Sequence, residues 1–454
     1  MSTSRDDVSR RGFLGGAAAA AAFSVVPSHV MAGSGEQSPS DTLNIAGIGV
    51  GSRGGRDVAA CDSENIVALC DVDTDYAAGT FKKYPEAEKY TDYRRMLDEM
   101  GDTIDAVIIG TPDHTHAVIA AAALDLGMHV YCEKPLAHSV WECRKLAEKA
   151  READVTAQLG IQGHSTGAAR RVVEWIRAGV IGEVREVQAW CDLSYYPPGR
   201  SSWSPKMLHR PEKGMQVPDS LDWDLWIGPA AMRPYHEVYH PRSWRAWWEF
   251  GSGMTCDRGV HTLDPVVWAL DLGHPESVGA RARLGHNDET HPLAAIVTYR
   301  FPEKDGRPPV KLTWYEGLRP PRPPELKKGQ TLGDRQGGAL FKGTKASLTC
   351  GIYGGDPRVL PLDRMGELLE GKREKTLPRI QTSHQMNWVQ ACKEGRQGTA
   401  DFQYGGHLSE LCQLGNVAKR VNDRFRWDPE ALEATDLPEA NKYVKGSYRD
   451  GWSL

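Results

Sequence analysis

The stretch Leu43–Asp71 reads "LNIAGIGVGSRGGRDVAACDSENIVALCD", and its order of features sets the fold. It opens on a short apolar run, Leu43 to Ile48, of the kind that forms a buried strand. Gly49-Val50-Gly51-Ser52-Arg53-Gly54 follows directly, a G-x-G-x-x-G pattern. A helical stretch runs from about Arg53 to Cys61, and Ile66 to Cys70 reads as a second strand ending at Asp71. Glycines at those positions permit a tight turn and let backbone N–H groups approach a pyrophosphate, while the helix start adds its positive dipole. An acid about 20 residues beyond the loop is where the adenosine ribose hydroxyls need a partner. The stretch therefore predicts a dinucleotide site built from Gly49, Gly51, Ser52, Arg53, Gly54 and Asp71. Asp71 would repel a 2′-phosphate and favours NAD; Arg53 leaves NADP open.

The alternation continues. Ala106 to Gly110 reads as a strand, followed by Thr111-Pro112-Asp113-His114-Thr115-His116 and an alanine-rich helix. Met128 to Cys132 is another strand, ending in Glu133-Lys134-Pro135. Ser139 and Glu142 form a capping box for the next helix, and Val155 to Leu159 is a further strand. Strands alternating with helices imply a doubly wound parallel sheet, whose ligand lies at the carboxyl ends of the strands. Asp71, Thr111, Pro112, His116, Glu133 and Lys134 all fall at such ends and are expected at one crevice. Lys134 is read as a donor to a reacting hydroxyl, lowering that hydroxyl's pKa.

Upstream of the strand, residues 1–32 read as a twin-arginine export signal: Ser9-Arg10-Arg11-Gly12-Phe13-Leu14, an alanine-rich apolar run to Val26, and small residues for cleavage after Ala32. The expectation is export of a folded protein to the periplasm or beyond, through the twin-arginine machinery, with no membrane association once the signal is removed. Residues 33–41 read as a linker, 42–165 as the dinucleotide domain and 166–454 as a substrate-binding domain. Nine scattered cysteines without a C-x-x-C fit folding in a reducing compartment. With 55 basic against 60 acidic residues, the chain lacks the basic excess of a nucleic-acid binder.

In the second half, Gly253 to Asp264 reads "GMTCDRGVHTLD". On a continuous helix Asp257, His261 and Asp264 share one face. A metal site would need a fuller ligand shell, and no second histidine or cysteine cluster lies nearby. A solvated helix face fits poorly with the apolar Leu263, Val266 and Val267 that follow. The reading adopted is a proton-transfer pair, in which a carboxylate raises a histidine into the neutral range. Tryptophans crowd the region before it, Trp203 to Trp248. Most are expected to anchor the core; Trp244 and Trp248, with Tyr195 and Tyr196 nearby, could stack on sugar C–H faces.

Taken together, G-V-G-S-R-G, C-D-V-D, T-P-D-H-T-H and C-E-K-P-L, with W-D-L-W-I-G-P and W-R-A-W-W-E-F-G-S-G later on, resemble the Gfo/Idh/MocA oxidoreductases, named for glucose–fructose oxidoreductase and inositol dehydrogenase, and within them a secreted subgroup. The resemblance implies an α/β chain: an N-terminal Rossmann domain, then an α/β domain with an open, mostly antiparallel sheet that often makes subunit contacts, hence a homo-oligomer. It implies that Lys134 is the catalytic lysine and that Asp257 and His261 are the D-x-x-x-H pair, with the histidine as base. Gln162 falls where a glutamine commonly follows the last Rossmann strand; Gly163 and His164 stand where many relatives carry arginine, so His164 is expected at the substrate. The function expected is NAD(P)-dependent hydride transfer at a sugar, glycoside or polyol hydroxyl, with the cofactor tightly held and no metal. Two alternatives stand beside it: a glycoside-cleaving enzyme using transient oxidation and elimination, and a sugar-binding protein without catalysis.

Overall fold

The computed structural model describes residues 42–193, 199 and 204–454. The export signal, the linker, Tyr195, Tyr196 and Trp203 lie outside the described residues.

Six strands form the first sheet: β1 (Asn44–Ile48), β2 (Asn65–Cys70), β3 (Glu88–Tyr90), β4 (Ala106–Ile109), β5 (His129–Glu133) and β6 (Ala157–Gly160). All pairs are parallel, in the order β3-β2-β1-β4-β5-β6. The crossovers are α1 (Arg53–Ala59), α2 (Thr74–Lys83), α3 (Tyr93–Met100), α4 (Asp113–Asp125) and α5 (Val140–Ala153). Helices on both faces explain why the central strand β4 is apolar and buried at every position. Ser139 caps α5, its Oγ accepting the Glu142 N–H at 3.2 Å, while the Glu142 carboxylate accepts the His138 N–H at 3.0 Å. This is the expected capping box with its return bond shifted one residue upstream.

α6 (Gly167–Arg177) leads out of the first sheet and is followed by Gly179, at φ +66°. The second sheet has nine strands: β7 (Val184–Cys191), β8 (Ser277–Leu284), β9 (Ala294–Phe301), β10 (Val310–Glu316), β11 (Gly337–Gly343), β12 (Ser347–Cys350), β13 (Arg358–Leu360), β14 (Arg424–Asp428) and β15 (Glu433–Ala434). Their order is β13-β12-β11-β7-β10-β9-β8-β14-β15; the β7–β10 pair is parallel and the other pairs antiparallel. The expected open, mostly antiparallel sheet is present.

Between β7 and β8 lie α7 (Trp223–Ile227), α8 (Gly253–Asp257) and α9 (Gly259–Leu270). Trp223, Trp226, Trp244 and Trp247 pack with Tyr235, Tyr239 and Phe250 in one aromatic core. Two later helices are α10 (His384–Glu394) and α11 (Phe402–Val421). α10 returns to the first sheet: Trp388 and Val389 share a core with Ile45, Leu69, Ile108 and Tyr131. α11 bridges α5 and β8 and carries Lys419, fully buried and paired with Glu316 at 2.9 Å. All nine cysteines are buried thiols. Among the described residues no helix is long and apolar enough to cross a membrane, and no group of three or more histidine, cysteine, aspartate or glutamate side chains could hold a metal ion.

Candidate active site

The carboxyl ends of the first sheet's strands open on a cleft of about 510 Å³. Gly49, Gly51, Ser52, Arg53, Asp71, Thr111, Pro112, Glu133 and Lys134 line it from the first sheet. Gln162, Trp244, Asp257 and His261 line it from beyond.

The glycine loop is built for a close ligand. Gly49 sits at φ +77°, and a Cβ there would lie 2.6 Å from the Thr111 backbone nitrogen. A Cβ on Gly51 would lie 2.2 Å from the Tyr76 ring. Asp71 is tied to this loop: its carboxylate accepts the Gly51 N–H at 2.8 Å and the Asp73 N–H at 3.0 Å. Burial pushes its carboxyl up to about 6, against the pull of those backbone donors. The loop and its carboxylate thus fit a dinucleotide.

Gly54 does not line the cleft. It lets α1 approach the sheet, since a Cβ there would lie 2.2 Å from the Gly49 carbonyl oxygen. Its place is helix-to-strand packing rather than ligand contact.

Arg53 is also committed. Its guanidinium pairs with Glu133 at 3.0 Å and with Asp57 at 2.9 Å. Gln162 donates to Glu133 at 2.6 Å, and Gln385 of α10 donates to the fully buried Asp57 at 2.6 Å. Burial, with Glu133 beside it, pushes Asp57 up to about 8. A 2′-phosphate partner for Arg53 would have to displace both Glu133 and Asp57.

At the other end Lys134 meets Asp257. The Lys134 Nζ donates to the Asp257 carbonyl oxygen at 2.9 Å and pairs with its carboxylate. The Lys134–Pro135 peptide is cis. Burial alone would raise Asp257; Lys134, with Arg245 and Arg258, holds it well below the usual carboxylate range. The helix α8, which ends at Asp257, is held from behind along its start and middle. Thr255 donates to Glu316 at 2.7 Å beneath Lys419, and Asn416 and Gln413 bond Ser252 at 2.8 and 2.9 Å.

His261 is buried, and its Nδ1 has no hydrogen-bond partner. Its ring lies 4.6 Å from that of Tyr353, centroid to centroid. Burial and then the Lys134 charge push its pKa well below the ordinary value, and the Asp257 carboxylate does not reverse this. Here the sequence expectation is corrected. α8 ends at Asp257 and α9 starts at Gly259, so the three polar residues do not share one helix face. Asp257 is bonded to Lys134 and not to His261. Asp264 is turned away, bonded to His164 at 2.7 Å and to the Tyr404 hydroxyl at 2.6 Å.

Three further expectations are corrected. His164 does not line the cleft; it is buried against Trp268, ring to ring at 4.0 Å, with its Nδ1 on Asp264. His116 is buried with its ring nitrogens on the Pro135 and Thr111 carbonyls, at 2.7 and 2.9 Å, so it braces two strand ends. Trp248 is buried beside His291 and donates to the Asn287 carbonyl at 3.1 Å, away from the cleft. Trp244 does reach the cleft, under the Arg245 guanidinium at 4.1 Å. The structure adds residues that the sequence did not mark: Tyr76, Arg242, Arg245, Arg258, Tyr353 and Trp452. Arg245 and Arg258 lie inside the W-R-A-W-W-E-F-G-S-G and GMTCDRGVHTLD stretches, which give them no role, and the others lie in no motif; each comes to the cleft through tertiary packing.

A glycine loop with its acid at one end of a cleft, and a lysine–aspartate pair beside a buried histidine at the other, define the class: a dinucleotide-binding Rossmann fold with a second α/β domain. Residues 43–161 match the NAD-binding Rossmann fold of the Gfo/Idh/MocA oxidoreductase family, and 200–306 match its C-terminal alpha/beta domain. Across these two segments the chain is similar to the Gfo/Idh/MocA family. It is 31% identical over 143 residues to inositol 2-dehydrogenase of Salmonella paratyphi B, covering 31% of this chain and 42% of that one. It is 30% identical over 161 residues to a glycosyl hydrolase family 109 protein of Shewanella pealeana, covering 33% and 35%. The matched segment thus spans less than half the length of these curated relatives. The fold is that of the WlbA dehydrogenase of Bordetella pertussis, solved in complex with NADH and UDP-GlcNAcA: TM-score 0.58, 16% identity, covering 85% of this chain and 99% of that one.

Proposed function

We propose that this chain is an exported oxidoreductase acting on a sugar, glycoside or polyol hydroxyl, with tightly held NAD. The observation that carries the reading is that Lys134, Asp257 and His261 line the same cleft as the glycine loop. NAD, when bound, supplies hydride exchange at the carbinol carbon. The chain's own groups handle the proton. An ammonium has three donors, and Asp257 takes two of those on Lys134. One remains for the substrate oxygen. His261, neutral because it is buried, accepts the hydroxyl proton. Asp257 is a positioning residue that fixes Lys134.

Denaturing the purified protein and weighing the released nucleotide tests the reading; near-stoichiometric NAD is expected. An empty protein that also fails to bind added NAD would overturn it, in favour of a sugar-binding protein without catalysis.

A second reading, transient oxidation followed by elimination of a glycosidic leaving group, is favoured by the likeness to the family 109 glycosyl hydrolase protein. Release of aglycone without net NADH would establish it.

Export through the twin-arginine route rests on Arg10-Arg11 and the run that follows. Replacing both arginines by lysine should retain the precursor inside the cell. Assembly through the open face of the nine-stranded sheet is proposed from the resemblance. That face carries Arg281, Arg283, Arg300, Lys311 and Arg424 around a hollow of about 320 Å³, so copies pairing there should associate more strongly as salt screens them.

A further inference from the structure

The reactive end of the cleft holds a cation, Arg258, that the proposed proton transfer does not use. Lys134, Arg245 and Arg258 line it, and Asp257 is the carboxylate among them. Lys134 takes that carboxylate. Arg258, the next residue in the chain, is half-buried, and among the described residues it forms no ion pair and no side-chain hydrogen bond. Arg245 is half-buried too, laid flat by Trp244.

The other carboxylates lining the cleft are engaged elsewhere. Asp71 is held by the glycine loop, Asp92 by Arg94 at 2.7 Å, Asp113 by the Ser252 N–H at 3.0 Å, and Glu133 by Arg53 at 3.0 Å. Arg242 lies at the dinucleotide end, 3.4 Å from the Tyr76 hydroxyl. It does not change the balance beside Asp257.

A guanidinium kept partly out of water with no direct ion pair of its own is costly unless the ligand brings one. Its planar fork suits a carboxylate. We infer that the substrate is a carboxylated sugar, a uronic or aldonic acid unit, whose carboxylate is held by Arg258 and Arg245 beside the carbinol facing Lys134 and His261. This rests on the oxidoreductase reading of the same cleft.

The test uses the holoprotein with matched probes: methyl β-D-glucoside against methyl β-D-glucuronide, and galactose against galacturonate. Glucose 6-phosphate serves as a different anion. Binding is followed by tryptophan fluorescence and calorimetry, and turnover by reduction of the bound nucleotide. Each acid should bind about tenfold or more tightly than its neutral counterpart. Arg258→Gln, and separately Arg245→Gln, should bring the acid down to the neutral sugar's level, with Arg258→Lys restoring part; unchanged melting confirms that the variants fold. Neutral sugars binding as well as the acids would overturn the inference while leaving the oxidoreductase reading in place. A preference for the 6-phosphate over both acids would overturn the carboxylate assignment. Acids that bind in an Arg258-dependent way while no sugar reduces the nucleotide would sustain this inference and sink the oxidoreductase reading.

Discussion

Lys134 and Asp257, 123 positions apart, are joined by two contacts from a single ammonium: one to the aspartate's backbone carbonyl and one to its carboxylate. The carbonyl contact and the carboxylate pair together fix where Nζ sits. Lys134→Met should therefore lower turnover by roughly 10²–10⁴-fold while nucleotide binding stays nearly intact. It should also destabilise the fold, because a largely buried carboxylate is left without its partner. The double variant Lys134→Met/Asp257→Asn should recover the melting temperature and not the activity. Recovery of activity would show that Lys134 is only a counter-ion.

His261 is held neutral, its pKa well below the ordinary value because of burial and the nearby Lys134. The folded chain thus declines a proton that the unfolded chain takes up below about 6.5. Stability from this group is present above that pH and is lost as pH falls through it. For catalysis, the acid limb of kcat/KM should lie well below 6.5, and His261→Ala should cost turnover without moving NAD affinity. A limb near 6 that instead follows the KM for nucleotide belongs to Asp71, whose carboxyl is pushed up to about 6.

Asp57 runs the opposite way. Its folded pKa is raised from 3.8 to about 8, by burial and by Glu133. The folded chain keeps a proton that the unfolded chain sheds, so this group's contribution is full below 3.8 and declines as pH rises to about 8. Asp57→Asn keeps the acceptor for Gln385 and removes the titration. Relative to the parent, the variant's melting temperature should gain steadily from about pH 5 to about pH 8. A constant difference would mean that Asp57 stays charged beside Arg53.

Gly54→Ala should cost about 1–3 kcal/mol in denaturant unfolding, because the added methyl meets the Gly49 carbonyl oxygen, a backbone atom that cannot swing away. NAD affinity should fall with it, since Gly49 belongs to the loop.

Trp452, two residues from the end of the sequence, lines the cleft with Arg94 stacked 4.7 Å from its ring centroid. Trp452→Ala should weaken NAD binding about tenfold with kcat little changed. Equal loss in kcat would place this ring nearer the reacting atoms.

The parallel sheet was legible because its strands are apolar on both faces and punctuated by glycine, and Asp71, Thr111, Glu133 and Lys134 sit where strand ends must meet. β3 carries Glu88-Lys89-Tyr90 at the sheet edge and gives no apolar signal. Spacing along Gly253–Asp264 misled for a physical reason: it assumes one helix, and the break at Arg258 lets Asp257 turn to Lys134 while Asp264 turns to His164. Local spacing does not carry an ion pair 123 positions long, nor the arrival of Tyr353 and Trp452. His116, His164 and Trp248 had suitable chemistry for a site, but buried carbonyls and a buried carboxylate already use it.

The return of α10 to the first sheet bears on the order of synthesis. Trp388 and Val389 fill a core whose other members include Ile45, Val58 and Leu69, from the strands and helix around the glycine loop. The ribosome makes the loop early and the piece that closes the core behind it more than three hundred residues later. Until then the core behind β1 and β4 has α1 but lacks Trp388 and Val389, so a nascent chain holds an incompletely packed nucleotide site throughout most of translation.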